Sequence, residues 1–440
     1  MNTLVNFCKA IFTIMLMGLV FGASAQTTIA NFRANDQEGV NVFETPKETD
    51  AEFDGLKVKV GGHFTQQFQA LDHENNPVFD DQGELLNGLY AMKPGFNLAT
   101  ANLNLDVQLY EGVRLHLVTY LSSRHHPEAW VKGGYIQFDE LTFLNSSFFD
   151  NIMEKVTIKV GHMEINYGDT HFRRTDNGNA IYNPFIGNYI MDAFNTEIGA
   201  EVYYQNNGVI GMLGLTGGEI NGNIAELSES ENDDIAKRSP SIIGKLGYDS
   251  QINDDFRLRV TGSVYYTASS AANHLFDGDR GGSRYYLVMS PPGVSAGDRG
   301  IFSSGRYNPG FSDEVTSAVG NVFLKYKGAE LFGFYETATG KSSSEADTRS
   351  VDQIGADLLY RFGKKENVYV GARYNVLSGE DSSGEDISIN RYQLGAGWFL
   401  TPNVLAKLEY VNQEYKDFPT GSLLDGGSFN GIMFEAVVGF

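Results

Sequence analysis

Residues 169–194 hold two adjacent arginines, Arg173 and Arg174, among Asp169, His171, Asp176, Asn177 and Tyr182. A guanidinium pair in a low-dielectric enclosure focuses positive potential and favours anions. A plainer role is open to the same residues: both arginines could tie their segment to nearby acids such as Glu197 and Glu201. Other chemistry-bearing patterns are weaker. Ala338-Thr339-Gly340-Lys341-Ser342 ends like a phosphate-cradling loop, but Tyr335 stands where that motif needs Gly. His125-His126 has no third metal ligand placed nearby, and Asp277-Gly278-Asp279 and Asp381 to Asp386 lack a full calcium-loop pattern. No metal site and no cofactor are expected. Eight histidines are present, but none sits in a Ser–His–acid motif.

The elements that position the arginine segment alternate in polarity. The final residues, Gly431 to Phe440, place Ile432, Phe434, Ala436, Val438 and Phe440 on one side of a strand. Met1 to Ala25 reads as a secretory signal peptide, with Lys9, an apolar run over 10–21 and the small-residue site Ala23-Ser24-Ala25. The chain's one cysteine, Cys8, falls within it, so disulfides, thiol nucleophiles and cysteine metal sites are excluded beyond it. No later apolar run approaches the roughly 20 residues of a spanning helix. Any membrane crossing must then use strands, the other structure that satisfies every backbone polar group in lipid. Fifty Gly, 23 Tyr and 30 Phe suit turns, tight interior packing and aromatic girdles. The net charge of −22 argues against nucleic acid as a partner and fits solvated acidic loops.

Residues 26–55 read as a flexible periplasmic leader. Strand patterns follow from 56, joined in pairs by tight turns at 111–112, 206–208, 253–255, 327–328, 363–367 and 401–403. Longer connections separate the pairs, and 141–155 suits a short periplasmic helix. Tyr285 to Met289 is expected as a hairpin piece within the large loop 268–314. The resulting fold class is all-β: a transmembrane antiparallel β-barrel over 56–440, with 16 strands, long extracellular loops and short periplasmic turns. An even count keeps every tight turn at one end. Sixteen strands enclose a lumen wide enough for water. Alternation places Lys57, Lys59, Arg114, Lys159, Arg257, Arg259, Lys325, Arg361, Arg373, Arg391 and Lys407 inside. It also places Asp106, Glu164, Glu197, Glu201, Glu330, Glu336, Asp357, Glu409 and Glu435 inside, giving a near-neutral lumen. The tyrosine pairs at 203–204 and 265–266, and Trp398, are expected in the interfacial belts.

The stretch Val160-Gly161-His162-Met163-Glu164-Ile165-Asn166-Tyr167-Gly168 resembles the phosphate-selective porin superfamily. The adjoining Phe172 to Ala180 and Tyr182-Asn183-Pro184-Phe185 look like porin-type proteins of Bacteroidetes. That resemblance implies an outer-membrane homotrimer and passive diffusion of small polar solutes or anions. It also implies that 169–194 folds inward as a constriction. No arginine ladder of the phosphate-selective kind aligns, so phosphate specificity does not carry over. The expected partners are outer-membrane lipid and small solutes. Two rival functions are a surface adhesion barrel acting through 268–314 and a barrel hydrolase.

Overall fold

The computed structural model describes residues 32–45, 47, 53–121, 129–220, 224, 238–270, 272–277, 285–293 and 304–440. The expected signal peptide, His125-His126 and most of the acidic 219–239 segment lie outside them. The described chain forms one closed antiparallel sheet. Its strands are β1 (Lys57–Glu74), β2 (Gly95–Phe96), β3 (Thr100–Tyr110), β4 (Val113–Leu121), β5 (Ala129–Phe138) and β6 (Val156–Glu164). They continue as β7 (Thr196–Asn206), β8 (Val209–Thr216), β9 (Ser241–Asn253), β10 (Phe256–Thr267), β11 (Glu314–Tyr326) and β12 (Ala329–Lys341). The last are β13 (Arg349–Phe362), β14 (Val368–Glu380), β15 (Asp386–Thr401), β16 (Val404–Lys416) and β17 (Ser428–Gly439).

The two-residue β2 pairs with β1 at Phe68 and Gln69, just beyond the β1–β3 ladder that ends at Thr65 opposite Thr100. It extends the position of β3, so sixteen strands cross. Closure comes from β1 against β17, with His63 opposite Gly439 and Glu74 opposite Ser428. Between β5 and β6 the expected helix forms as α1 (Ser147–Met153), after a short 3-10 turn at Thr142–Leu144.

Period-two alternation explains which side chains face out. Along β13, Ile354, Leu358 and Tyr360 are exposed on the outside, while Val351, Gln353, Asp357 and Leu359 are buried within. The same rule splits the tyrosine pairs. Tyr204, Tyr266 and Trp398 face outward, as belt residues would, but Tyr203 and Tyr265 are buried inside. Adjacent residues on a strand cannot share a face, which corrects the expectation for the pairs.

The wide, water-filled lumen expected from the strand number is also corrected. Ile165 to Phe194 is almost wholly buried inside the barrel. Tyr285, Tyr286, Val288 and Met289 turn inward as irregular chain rather than as a hairpin, and Phe311 joins them. Ile165, Ile186, Ile190, Tyr286, Val288, Met289 and Phe311 make a continuous apolar cluster with inward wall residues such as Val315, Phe323, Phe332, Ile389 and Phe429. A sheet of sixteen strands sets the circumference, but long inward loops fill much of the space it encloses.

Residues 32–45 of the expected leader are lodged in the barrel as well. They cross its tight-turn end as a strap. Gln37 donates to the carbonyls of Pro402 and Lys365, and Asn35 to that of Phe440. On the opposite side, the amide of Gln205 donates to Thr45 O and the Lys47 ammonium to Asp139 O at 2.5 Å.

Candidate functional site

The inward segment begins where β6 stops at Glu164 and turns through a 3-10 helix at Thr170–Arg173. Its tip is the turn Asp176–Asn179, which docks on β1 and β3. Asn102 accepts the Gly178 amide at 2.9 Å and donates to Asp176 O at 3.0 Å, and Thr65 donates to Gly178 O at 2.6 Å. Only glycine allows this approach: a Cβ at Gly178 would lie 2.6 Å from Ala101 Cα and 2.8 Å from His63 O. The other half of the segment lies on β13–β16. Arg373 grips Asp357 through two hydrogen bonds of 2.6 and 2.9 Å and donates to Gly187 O at 3.0 Å. Lys407 pairs with Glu435 at 2.7 Å and donates to Ala180 O and Phe185 O. Glu409 accepts the Ile186 amide at 2.7 Å. The segment therefore spans the interior and is tied to wall strands on several sides.

The candidate constriction residues all lie in this spanning piece, but their charges are largely matched. Arg174 is bidentate to Asp192, at 3.0 and 2.6 Å, and stacks over Phe194. Arg173 donates to Asn41 of the strap, lies 3.8 Å from Glu330 and sits beside the rings of Phe323 and Phe332. Both arginines thus act as ties, yet not to Glu197 and Glu201. Glu197 instead accepts from Tyr265 at 2.8 Å and Asn195 at 2.9 Å, and Glu201 from the Asn166 amide at 2.8 Å and Tyr203 at 2.5 Å. Asp176 receives Tyr120 and pairs with Lys132. His171 meets Glu164 at 2.5 Å, and Tyr182 donates to Ala34 O at 2.5 Å.

Asp169 belongs to a buried four-charge cluster. Arg259 binds it through two hydrogen bonds of 2.8 and 2.7 Å, and Lys245 lies 2.8 Å away. Glu44 of the strap completes the cluster, 2.7 Å from Arg259 and 3.0 Å from Lys245. Burial works to raise both carboxyl groups, but Lys245 and Arg259 beside them hold Glu44 and Asp169 below the usual carboxylate range.

Among the other wall residues, Arg114 meets Asp139 at 2.6 Å, Arg257 meets Asp249 at 2.7 Å and Arg391 donates to Gln413 at 2.5 Å. Lys57 pairs with Asp54 at 2.6 Å near the tight-turn rim, and Lys59 is half-buried on the same side of β1. Most inward charge is consequently used to fasten chain to chain.

A polar cavity of about 250 Å³ remains between the inward segment, the strap and the wall formed by β3–β7. Its lining includes Asp139, Thr157 and Gln205 near the tight-turn end, and Lys132, His162 and Thr196 toward the long-loop end. Asp139 and Lys132 are seven residues apart, on the order of 20 Å along a strand. The cavity thus runs along one side of the barrel rather than down its axis. His116, Lys159, Glu164, His171 and Tyr182 face it, and Arg33 and Phe43 enter it from the strap. Neither Arg173 nor Arg174 is among the residues that line it.

Sequence reasoning missed the strap residues Arg33, Asn41 and Glu44, the loop partner Asp192 and the inward lysines Lys132 and Lys245. The alternation of β9, with Ile242 and Leu246 exposed and Ile243 buried, is the signal that places Lys245 inside.

No protein-family model and no curated protein matches the chain. Among solved structures, the chain is similar to an anion-selective porin from Comamonas acidovorans, with 11% identity and a TM-score of 0.49. That match covers 88% of this chain and 100% of the porin. The outer membrane channel DcaP of Acinetobacter baumannii is similar at 10% identity and a TM-score of 0.49, over 88% of this chain and 98% of that one. In-vitro folded OmpT, an outer membrane protein of Vibrio cholerae in a trimer form, is similar at 11% identity and a TM-score of 0.48, over 88% and 100%.

Proposed function

We propose that this chain is an outer-membrane diffusion channel for small hydrophilic solutes, with a mild preference for anions. The observation that carries the reading is the polar cavity along β3–β7, inside a closed barrel whose outer face is apolar. Solutes would pass off-axis, between that wall and the inward segment, while the packed remainder sets the size limit. The inward charges outside the cavity are mostly spent in ion pairs, so selectivity rests on the few cavity-lining groups and is modest. The resemblance of Val160 to Gly168 to phosphate-selective porins belongs to the same proposal, as does assembly into a homotrimer whose outer face is shared between lipid and neighbouring copies. So does a division into signal peptide, leader and barrel.

Liposome swelling tests the reading. Vesicles carrying the purified protein should swell in small sugars and amino acids and slow sharply as solute size rises. Swelling no faster than in protein-free vesicles would refute it.

A further inference from the structure

Two cations in the side cavity differ from the rest. Arg33 enters from the strap, lies 3.5 Å over the Tyr182 ring and donates only to carbonyls, Gly39 O at 2.9 Å and Phe172 O at 3.0 Å. Lys159 projects from β6 between the rings of Tyr135 and Tyr203, with the Tyr203 hydroxyl 3.5 Å away. Neither makes an ion pair with a carboxylate among the described residues. The acids around them are engaged elsewhere. Asp139 pairs with Arg114, and Glu44 with Lys245 and Arg259, while Asp106 and Glu164 are each held in a hydrogen bond to an imidazole, His116 at 2.5 Å and His171, rather than in an Arg or Lys ion pair. Lys132, the other lysine on the cavity wall, is neutralised by Asp176.

We infer that Arg33 and Lys159 form the anion filter of this cavity, and that the N-terminal strap carries in half of it. The inference rests on the diffusion-channel reading. Its physical ground is that uncompensated charge in a narrow, low-dielectric enclosure dominates the local potential, whereas paired charges largely cancel. The aromatic faces under both cations position them without neutralising them. Burial lowers the Arg33 guanidinium to about 10, which leaves it charged at neutral pH. The ligand class is small inorganic anions and short carboxylates, because a cavity of about 250 Å³ admits small polar solutes together with their water and its two cations would hold the anionic ones.

The test is the reversal potential of the purified full chain in a planar bilayer under a potassium chloride gradient. Arg33→Gln and Lys159→Met should each move the reversal potential toward the potassium value, and the double variant should move it further. Lys159→Met keeps an unbranched stem between the two rings, which guards the packing. Arg33→Lys should retain the wild-type value. Conducting variants with an unchanged reversal potential would overturn the filter while leaving the channel intact. Wild-type protein that inserts but never conducts would instead refute the channel reading itself.

Discussion

Replacing Glu44 with Gln should loosen the strap's hold on the barrel. The side chain of Glu44 is only 4% exposed and bridges Lys245 and Arg259, while Asn166 donates to it at 3.0 Å. Stranding a buried charge costs about 3–5 kcal/mol. Here Asp169 stays within 2.8 Å of both cations, so they are not left bare and the cost is smaller. The amide can also keep the Asn166 contact. What disappears is the strap's share of two ion pairs, which we place at about 2–3 kcal/mol, or roughly 30- to 140-fold in the docking equilibrium. Cys8 is the sole cysteine, so a thiol introduced as Val40→Cys in a Cys8→Ser chain reports on the strap alone. Val40 packs against Tyr369, Leu405 and their neighbours when the strap is seated. Its labelling by a water-soluble maleimide should accelerate by that factor in the Glu44→Gln background. An unchanged rate would show that the four-charge cluster does not hold the strap.

Three further outcomes follow from the same geometry. Because Glu44 and Asp169 titrate below their ordinary range, their contribution is complete above the unfolded carboxylate values and is lost as pH falls through the depressed ones. Val40→Cys labelling should therefore be flat between about pH 5 and 8, after correction for thiol ionisation, and rise below about pH 4; a rise near neutrality would contradict the assignment. Arg373→Met leaves the fully buried Asp357 uncompensated and frees Gly187 O, so detergent-solubilised barrels should lose about 3–5 kcal/mol in denaturant melts. Ile354→Arg, on the outer face of β13, should cost about 2–4 kcal/mol on folding into lipid vesicles if that face meets the bilayer midplane. Equal stability of wild type and variant in vesicles would mean that lipid does not cover this face.

The wall was legible in the sequence because a strand's two faces meet different surroundings at every crossing. Arg259, Arg373 and Asp357 point inward for that reason, and Leu358 and Phe434 outward. Strand ends were less legible. β1 runs on to Glu74 because Gln67 and Gln69 satisfy lumen groups, although their polarity resembles that of a loop. The filling of the interior carried no local signal. Residues 165–195 are as polar and turn-rich as a surface loop, and Asn183 and Asn188 bond mainly within the segment itself. Their burial depends on the width of the closed sheet and on what the opposite wall presents. The strap poses the same problem. Asn35, Asn41 and Glu44 look like solvated residues until Phe440 O, Glu330 and Arg259 are brought beside them. The Arg173–Arg174 pair was visible as a concentration of charge, but Asp192, 18 residues later, decides where much of that charge goes.

Single-channel recording of the purified protein in a planar bilayer bears most directly on the account. A side cavity that connects the two faces predicts stable unitary openings, with chloride more permeant than potassium in a salt gradient. Protein shown to be inserted and folded that leaves the bilayer silent would contradict it, and the interior would then be a packed stopper rather than a passage.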